Sequence, residues 1–124
     1  MPERPDAKIY AALTVGSPSE IEAIVGDRVY PVRVPSNKPV PAIAYKRIES
    51  AEIQHTLDSN VPSWQVVRYE VWCVANDHAT AESLGDLIEQ LNVAGIQVVD
   101  RMSEKGPNDD SPFASIVTVD VTVL

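Results

Sequence analysis

Cys73, His55 and His78 carry the side chains of this sequence that are best suited to covalent catalysis or metal binding. A histidine beside a cysteine can generate a nucleophilic thiolate, and both residue types bind zinc. Their spacing fits neither use, because Cys73 and His78 lie on opposite sides of a predicted strand-to-helix turn and the chain has no second cysteine. The histidines form no metal-binding pair on one helical face. The sequence therefore predicts structural or solvent-exposed roles for all three, and no catalytic, cofactor or metal site.

Two further groups of residues have side chains that bind ligands in other proteins. Asp109-Asp110 offers carboxylates for a cation, but the glycine, proline and asparagine just before it are typical of a solvated turn. Trp64, Tyr69 and Trp72 have rings that stack on nucleic-acid bases elsewhere, but only one arginine lies among them. We interpret the aromatic residues as part of the core or of a contact between subunits.

Composition limits the possible partners and location. The chain has 124 residues, which fits a single domain over 1–124 that can bury a substantial core. Eighteen acidic residues against ten basic ones give a formal charge of −8, which disfavours binding to nucleic acid. One cysteine and no charged-then-apolar leader predict a cytoplasmic protein, and no apolar run approaches the ~20 residues of a membrane span. A protein partner is the expectation.

Helix signals occur at three places. The segment Asp6 to Val15 places apolar residues on one face and predicts a first helix. Ser17-Pro18-Ser19-Glu20 has the pattern of a capping box and predicts a second, short helix that ends at Gly26. Asp77 is suited to cap a third helix, whose apolar face predicts that it covers a sheet.

Prolines mark the start of the predicted sheet. Residues 28–34 alternate like a strand, but Pro31 lacks the N–H group that a central strand donates, so this segment is at best an edge strand. Pro35, Pro39 and Pro41 keep the following connection extended until a strand over 42–54. Prolines at a sheet edge limit uncontrolled pairing with other chains, which suits a protein that assembles.

The remaining strands are predicted from alternation. Residues 64–75 form the clearest central strand, 95–102 a further one, and 117–123 the last, with valines on one face. The polar segments 55–63 and 103–112 are predicted to be loops that project from the sheet. The predicted fold class is α+β: a mainly antiparallel four- to five-stranded sheet with short N-terminal helices and one covering helix.

Several of these stretches together resemble one protein family. VGDRVYP at 25–31, then Pro35 and PAIAY at 41–45, followed by RYEVWC at 68–73 and a helix, is similar to the small tail completion proteins of long-tailed bacteriophages, a group related to the tail terminators. The likeness covers residues 8–124. The chain departs from the pattern at Pro35-Ser36, where many such proteins have Pro-Gln, and at Leu91-Asn92, where the helix ends early.

The resemblance implies an assembly role without catalysis. It implies a homo-oligomer, a hexameric ring, which caps the finished tail tube and joins it to the head connector. The protein would be found in the virion, and in the host cytoplasm during assembly, with no cofactor, no membrane contact and no specific nucleic-acid binding.

The resemblance also assigns residues to sites. Arg28, Tyr30, Pro31 and Tyr45 match the family's motif at the start of the sheet, here called the sheet-start motif, and their roles are predicted to be mostly structural. Position in the two polar loops, and not the family motif, predicts a second group of residues that contact partners or line the ring's lumen: Asp58, Asn60, Lys105, Asp109 and Asp110. Carboxylates there would repel DNA phosphates and keep a passing genome from adhering. The alternative function is a small acidic enzyme or ligand-binding domain that uses His55, His78 or Cys73.

Overall fold

The computed structural model confirms an α+β fold. It describes residues 5–14, 19–35, 39–55, 62–91, 95–105 and 112–123. Within them a five-stranded, mostly antiparallel sheet packs against helices. The elements, in chain order, are α1 (Pro5–Thr14), α2 (Ser19–Val25), β1 (Val29–Pro31), β2 (Ala42–His55), β3 (Pro62–Ala75), α3 (His78–Glu89), β4 (Ile96–Lys105) and β5 (Phe113–Val123).

The strands lie in the order β1-β2-β3-β5-β4, so β1 and β4 form the two edges. β1 is parallel to β2, and each of the other neighbouring pairs is antiparallel. β1 is an edge strand as predicted, and it ends at Pro31, the residue that lacks a donor for further pairing. β4 is the longer edge, with ten residues.

Alternation along the strands gives the sheet two different faces. The covered face carries the buried valines of β3 and β5 and packs against the helices. The open face carries Ala44 of β2, Trp72 of β3, Ile116 of β5 and Met102 of β4, which are neighbours across the sheet. The largest fully buried side chains are Ile9, Leu13, Ile21, Ile43, Leu84, Ile88, Ile116, Val25, Val67, Val71, Val117 and Val119.

Helix caps follow the sequence closely. Asp77 caps α3 as predicted, because its carboxylate accepts the backbone N–H of Thr80 at 2.9 Å. Gly26 follows α2 with a φ of +59°, the left-handed conformation expected of a glycine at that place. Ser17 and Pro18 of the predicted capping box lie outside the described residues.

α3 lies unusually close to the sheet at Gly85. A Cβ atom at Gly85 would collide with Ser115 Oγ of β5 and with the Arg101 guanidinium of β4. Arg101 Nη2 donates to Glu82 Oε2 at 2.6 Å, and Nη1 donates to Asp86 Oδ1 at 2.5 Å.

Arg101 is the main polar link between the helix and the sheet. Its Nη1 also donates to Glu89 at 3.2 Å, and its Nη2 donates to the backbone carbonyl of Glu82 at 2.9 Å. The Arg101 side chain is 19% exposed and that of Glu82 is 27% exposed, so this pair is partly shielded, whereas the carboxylates of Asp86 and Glu89 are exposed and their pairs are screened by solvent. Arg101 therefore holds about two turns of α3, from Glu82 to Glu89, against β4.

The structure corrects two predicted loop boundaries. β4 continues through Lys105, so Ser103, Glu104 and Lys105 are strand residues and not the start of a projecting loop. They extend the strand because they pair with β5 and because Ser103 Oγ donates to Glu82 on α3, neither of which is a local signal. The predicted 55–63 loop is also too long, since His55 belongs to β2 and residues 62–63 belong to β3.

We expect Gly85→Ala to lower the free energy of unfolding by about 1–3 kcal/mol, because the added methyl group must displace Arg101 or Ser115. Urea unfolding measures the change. Ser83→Ala is the matched control: it adds no volume beneath the helix, and we expect it to be neutral or to stabilise by about 0.5 kcal/mol. Equal effects of the two substitutions would contradict the close packing at Gly85.

We expect acid to weaken the link between α3 and β4 through Glu82. The hydrogen bond from Ser103, together with Arg101, holds the pKa of Glu82 below its ordinary value of about 4.5. A carboxyl whose pKa is lower in the folded state contributes stability above pH ~4.5, and this contribution is lost as the pH falls through the folded pKa. The free energy of unfolding of Glu82→Gln should therefore change less between pH 6 and pH 3 than that of the wild type. Ser83→Ala, on the exposed side of the same helix, should follow the wild-type profile because it changes no titratable group.

Candidate interaction surface

The sheet-start motif holds the junction between α2, β1 and β2. Arg28 Nε donates to the Pro41 carbonyl at 2.8 Å, and its Nη2 donates to the Ile24 carbonyl near the end of α2 at 3.2 Å. The backbone carbonyl of Arg28 accepts from Ile43 N at 2.9 Å. Arg28 thus ties the end of a helix to the start of β2 and has a structural role.

The other three residues of the motif lie at the same junction. Tyr30 pairs with Ala44 and Pro31 with Tyr45, in the parallel β1–β2 ladder. The Tyr45 ring lies between those of Tyr10 on α1 and Tyr69 on β3, with centroids 6.1 and 6.4 Å away. These contacts support the packing of α1 on the covered face.

Cys73 and the two histidines are not brought together into a described site. Cys73 is fully buried in the core, where burial raises the pKa of its thiol to about 12. His78 is exposed at the start of α3 and contacts the Phe113 ring edge-on, at 5.7 Å between centroids. His55 is the last residue of β2. In the part of the chain that the structure describes, no three His, Cys, Asp or Glu side chains are grouped so that they could hold a metal ion.

The predicted contact loops are represented by one residue. Lys105 is exposed at the end of β4, and its Nζ lies 5.6 Å from the centroid of the Phe113 ring. Asp58, Asn60, Asp109 and Asp110 lie outside the described residues, so their predicted role stays a prediction.

A groove lies at the β1–β2 end of the open face. It has a volume of about 350 Å³. Ala44, Trp72 and Val74 come from the sheet, and the segment that follows β1 adds the remaining apolar side chains. Trp72 is oriented by its indole N–H, which donates to Glu70 Oε1 at 3.1 Å. The complete lining is Val32, Arg33, Val34, Ala44, Lys46, Trp72 and Val74.

Both charged residues of the groove are cations without a partner among the described residues. Arg33 and Lys46 are exposed, and neither side chain makes a hydrogen bond or an ion pair with the part of the chain that the structure describes. The other described cations do have partners: Lys8, Arg28, Arg47, Arg68, Arg101 and Lys105. In a chain with a formal charge of −8, the charged side chains that line the groove are therefore both cations, with Glu70 opposite Lys46 in the β2–β3 register.

The wall of the groove contains a strained residue. Val32 has a φ of +72°, a conformation that β-branched residues rarely adopt. Its N–H donates to the Tyr45 carbonyl at 2.8 Å, and Arg33 N donates to the Pro31 carbonyl at 2.8 Å, which closes a three-residue γ-turn around Val32. Val32 is 62% exposed, so burial does not offset this strain. Strained backbone of this kind is found where a protein binds something.

Sequence reasoning missed the groove and the ion pairs of Arg101. The groove joins residues 32–34, 44–46 and 72–74, which only the strand order brings together. One signal was present: Trp72 falls on the opposite face from Tyr69, Val71 and Cys73. That placement identified an aromatic residue on the second face, but not the cations beside it.

Comparison with known proteins assigns no family. No protein-family model matches the chain, and no curated protein matches it. Within the described residues, no helix has the length and apolar character to span a membrane.

We expect Cys73 to be unreactive in the folded protein. With a pKa of about 12, the thiol carries almost no thiolate at pH 8, and burial excludes reagents. Ellman's reagent should react with it only as fast as the protein unfolds, and at full rate in denaturant. Rapid reaction with the fold intact would contradict a buried thiol.

We expect Val32→Gly to raise the free energy of unfolding by about 1 kcal/mol, because glycine adopts positive φ without steric cost. Chemical denaturation measures the change. Val99→Gly is the control, since Val99 is an exposed valine without a positive φ that, like Val32, lies outside the regular strand pairing, at the register shift in β4. It should destabilise the protein. Destabilisation by both variants would show that Val32 is not strained.

Proposed function

We propose that this protein is a structural subunit of a long-tailed bacteriophage that caps the completed tail tube and joins it to the head connector. It acts as a ring of identical subunits, a hexamer, in the virion and, during assembly, in the host cytoplasm. Its action is geometric: it binds two other protein assemblies and catalyses no reaction.

The observation that supports this function most is the open face of the sheet. The described helices pack on one face, and the other carries a groove with apolar walls and two exposed cations. Exposed apolar residues rimmed by charge are typical of protein–protein contact sites. A subunit in an assembly needs such a surface, in addition to a core that is stable without it.

The sequence resemblance supplies the specific role. The sheet-start motif and the long central strand followed by a covering helix occur in the order expected of the tail completion proteins. The fold class fits that resemblance, since it has the short N-terminal helices, the covering helix and the mainly antiparallel sheet. The burial of Cys73 argues against the alternative in which this thiol acts as an enzyme nucleophile.

In vitro joining tests the proposed function. Tails and heads are purified from a phage lacking this subunit, mixed with or without the protein, and assayed for plaques. We expect plaques only when the protein is present, together with a ring at the head-proximal end of the tube in negative-stain images. His78→Ala, exposed and outside the groove, should support joining as the wild type does. Full joining without the protein, or loss of joining in a folded His78→Ala variant, would contradict the proposed function.

A further inference from the structure

β4 carries a group of side chains on the open face that complements the groove. Asp100, Met102 and Glu104 lie opposite Thr118, Ile116 and Ala114 in the β4–β5 register, and all three therefore face the open side. Met102 is 53% exposed, and both carboxylates are exposed. This group, here called the β4 triad, places an apolar side chain between two anions.

The groove has the opposite charge beside apolar side chains. Arg33 and Lys46 are its charged residues, and Val32, Val34 and Trp72 supply apolar surface. In the described part of the chain, neither of these cations and neither carboxylate of the β4 triad has an ion-pair partner. Each surface therefore presents unpaired charge of one sign around an apolar centre.

The two surfaces lie at opposite ends of the same sheet. The groove is at the β1–β2 end, whereas β4 is the far edge. The groove extends onto β3 through Trp72 and Val74, so only β5 lies between these residues and β4, whereas both β3 and β5 lie between β4 and Lys46 on β2. With strands about 4.8 Å apart, the carboxylates of the triad cannot reach the groove cations of their own chain. The triad is positioned to meet the groove of another copy.

We propose that the occupant of the groove is the β4 triad of a second copy of this chain. Met102 of one copy lies against Trp72 and Val32 of the next, and Asp100 and Glu104 pair with Arg33 and Lys46. The contact joins one end of a sheet to the opposite end of its neighbour, which is a head-to-tail arrangement that generates a ring when the rotation closes. This contact would be the interface between subunits of the ring proposed above, and the closure of the contacts into a ring rests on that proposed function.

The strain at Val32 fits this use of the groove. The γ-turn holds Val32 exposed at the mouth of the groove, next to Arg33. A contact with Met102 would cover an apolar side chain that the isolated chain leaves in water.

Charge exchange across the contact tests the proposal. The groove variant is R33E/K46E and the edge variant is D100K/E104K, and sedimentation velocity measures their self-association over a range of concentrations. We expect each variant alone to associate at least about tenfold more weakly than the wild type, because like charges then face each other. Mixing the two should restore association, because every groove in the mixture then has an oppositely charged edge available. The variant that carries all four substitutions should also associate.

Asp27→Lys is the control for a general effect of charge. Asp27 is exposed in the turn before β1 and lies outside both surfaces. It should associate at least as well as the wild type, since it lowers the net negative charge. Circular dichroism of each variant checks that its fold is intact.

Three results would overturn the proposal: a wild-type chain that stays monomeric at every concentration, folded variants that associate as the wild type does, or assembly that stops at a closed pair. If each charge-reversed variant, tested separately, still formed rings at the ends of tail tubes, the proposed contact would be wrong. The proposed function would not be contradicted. If the wild type failed in the joining assay but still formed charge-dependent rings, the proposed phage function would be wrong. The proposed contact would not be contradicted.

Discussion

The Arg101 guanidinium lies between β4 and α3, and it constrains where α3 sits over the sheet and which residues of β4 face each side. Desolvation of its charge is offset by hydrogen bonds to Asp86, Glu89 and Glu82. The helix comes close enough for these bonds because Gly85 has no side chain. In a strand, the residues next to Arg101 must face the other way, so the interaction that fixes α3 also directs Asp100 and Met102 to the open face.

The two faces of the sheet carry different kinds of interaction: contacts that hold the helices on the sheet, and surfaces proposed to bind other subunits. On the covered face, buried valines, the three tyrosine rings and the Arg101 ion pairs hold the helices on the sheet. On the open face, the Arg68–Asp120 ion pair at 2.8 Å is formed within the chain, whereas the charged side chains of the groove and of the β4 triad have no ion-pair partner among the described residues. Our proposals use only this second set. Reversal of the exposed charges of the groove and the β4 triad should therefore change association, whereas substitution of Gly85 or Arg101 should change folding stability.

The features that were predicted correctly from the sequence are those that depend on residues close together in the chain. The cap at Asp77, the left-handed Gly26, the edge position of β1 and the valine face of β5 follow from residues close in sequence, and the structure has all of them. The predicted end of β4 at residue 102 was wrong. Ser103 to Lys105 are polar, and the contacts that keep them in the strand come from β5 and from Glu82. The groove and the Arg101 cluster could not be predicted, since each joins segments whose neighbourhood depends on the strand order.

Amide hydrogen exchange tests most directly the claim that copies meet through opposite ends of the open face. Exchange is compared between a dilute sample and a concentrated one of the wild-type chain, by mass spectrometry of peptides. We predict that assembly slows exchange in residues 96–105 and 29–35 and leaves α3 unchanged, because α3 lies on the covered face. Slower exchange over α3, with both ends of the sheet unaffected, would contradict the account.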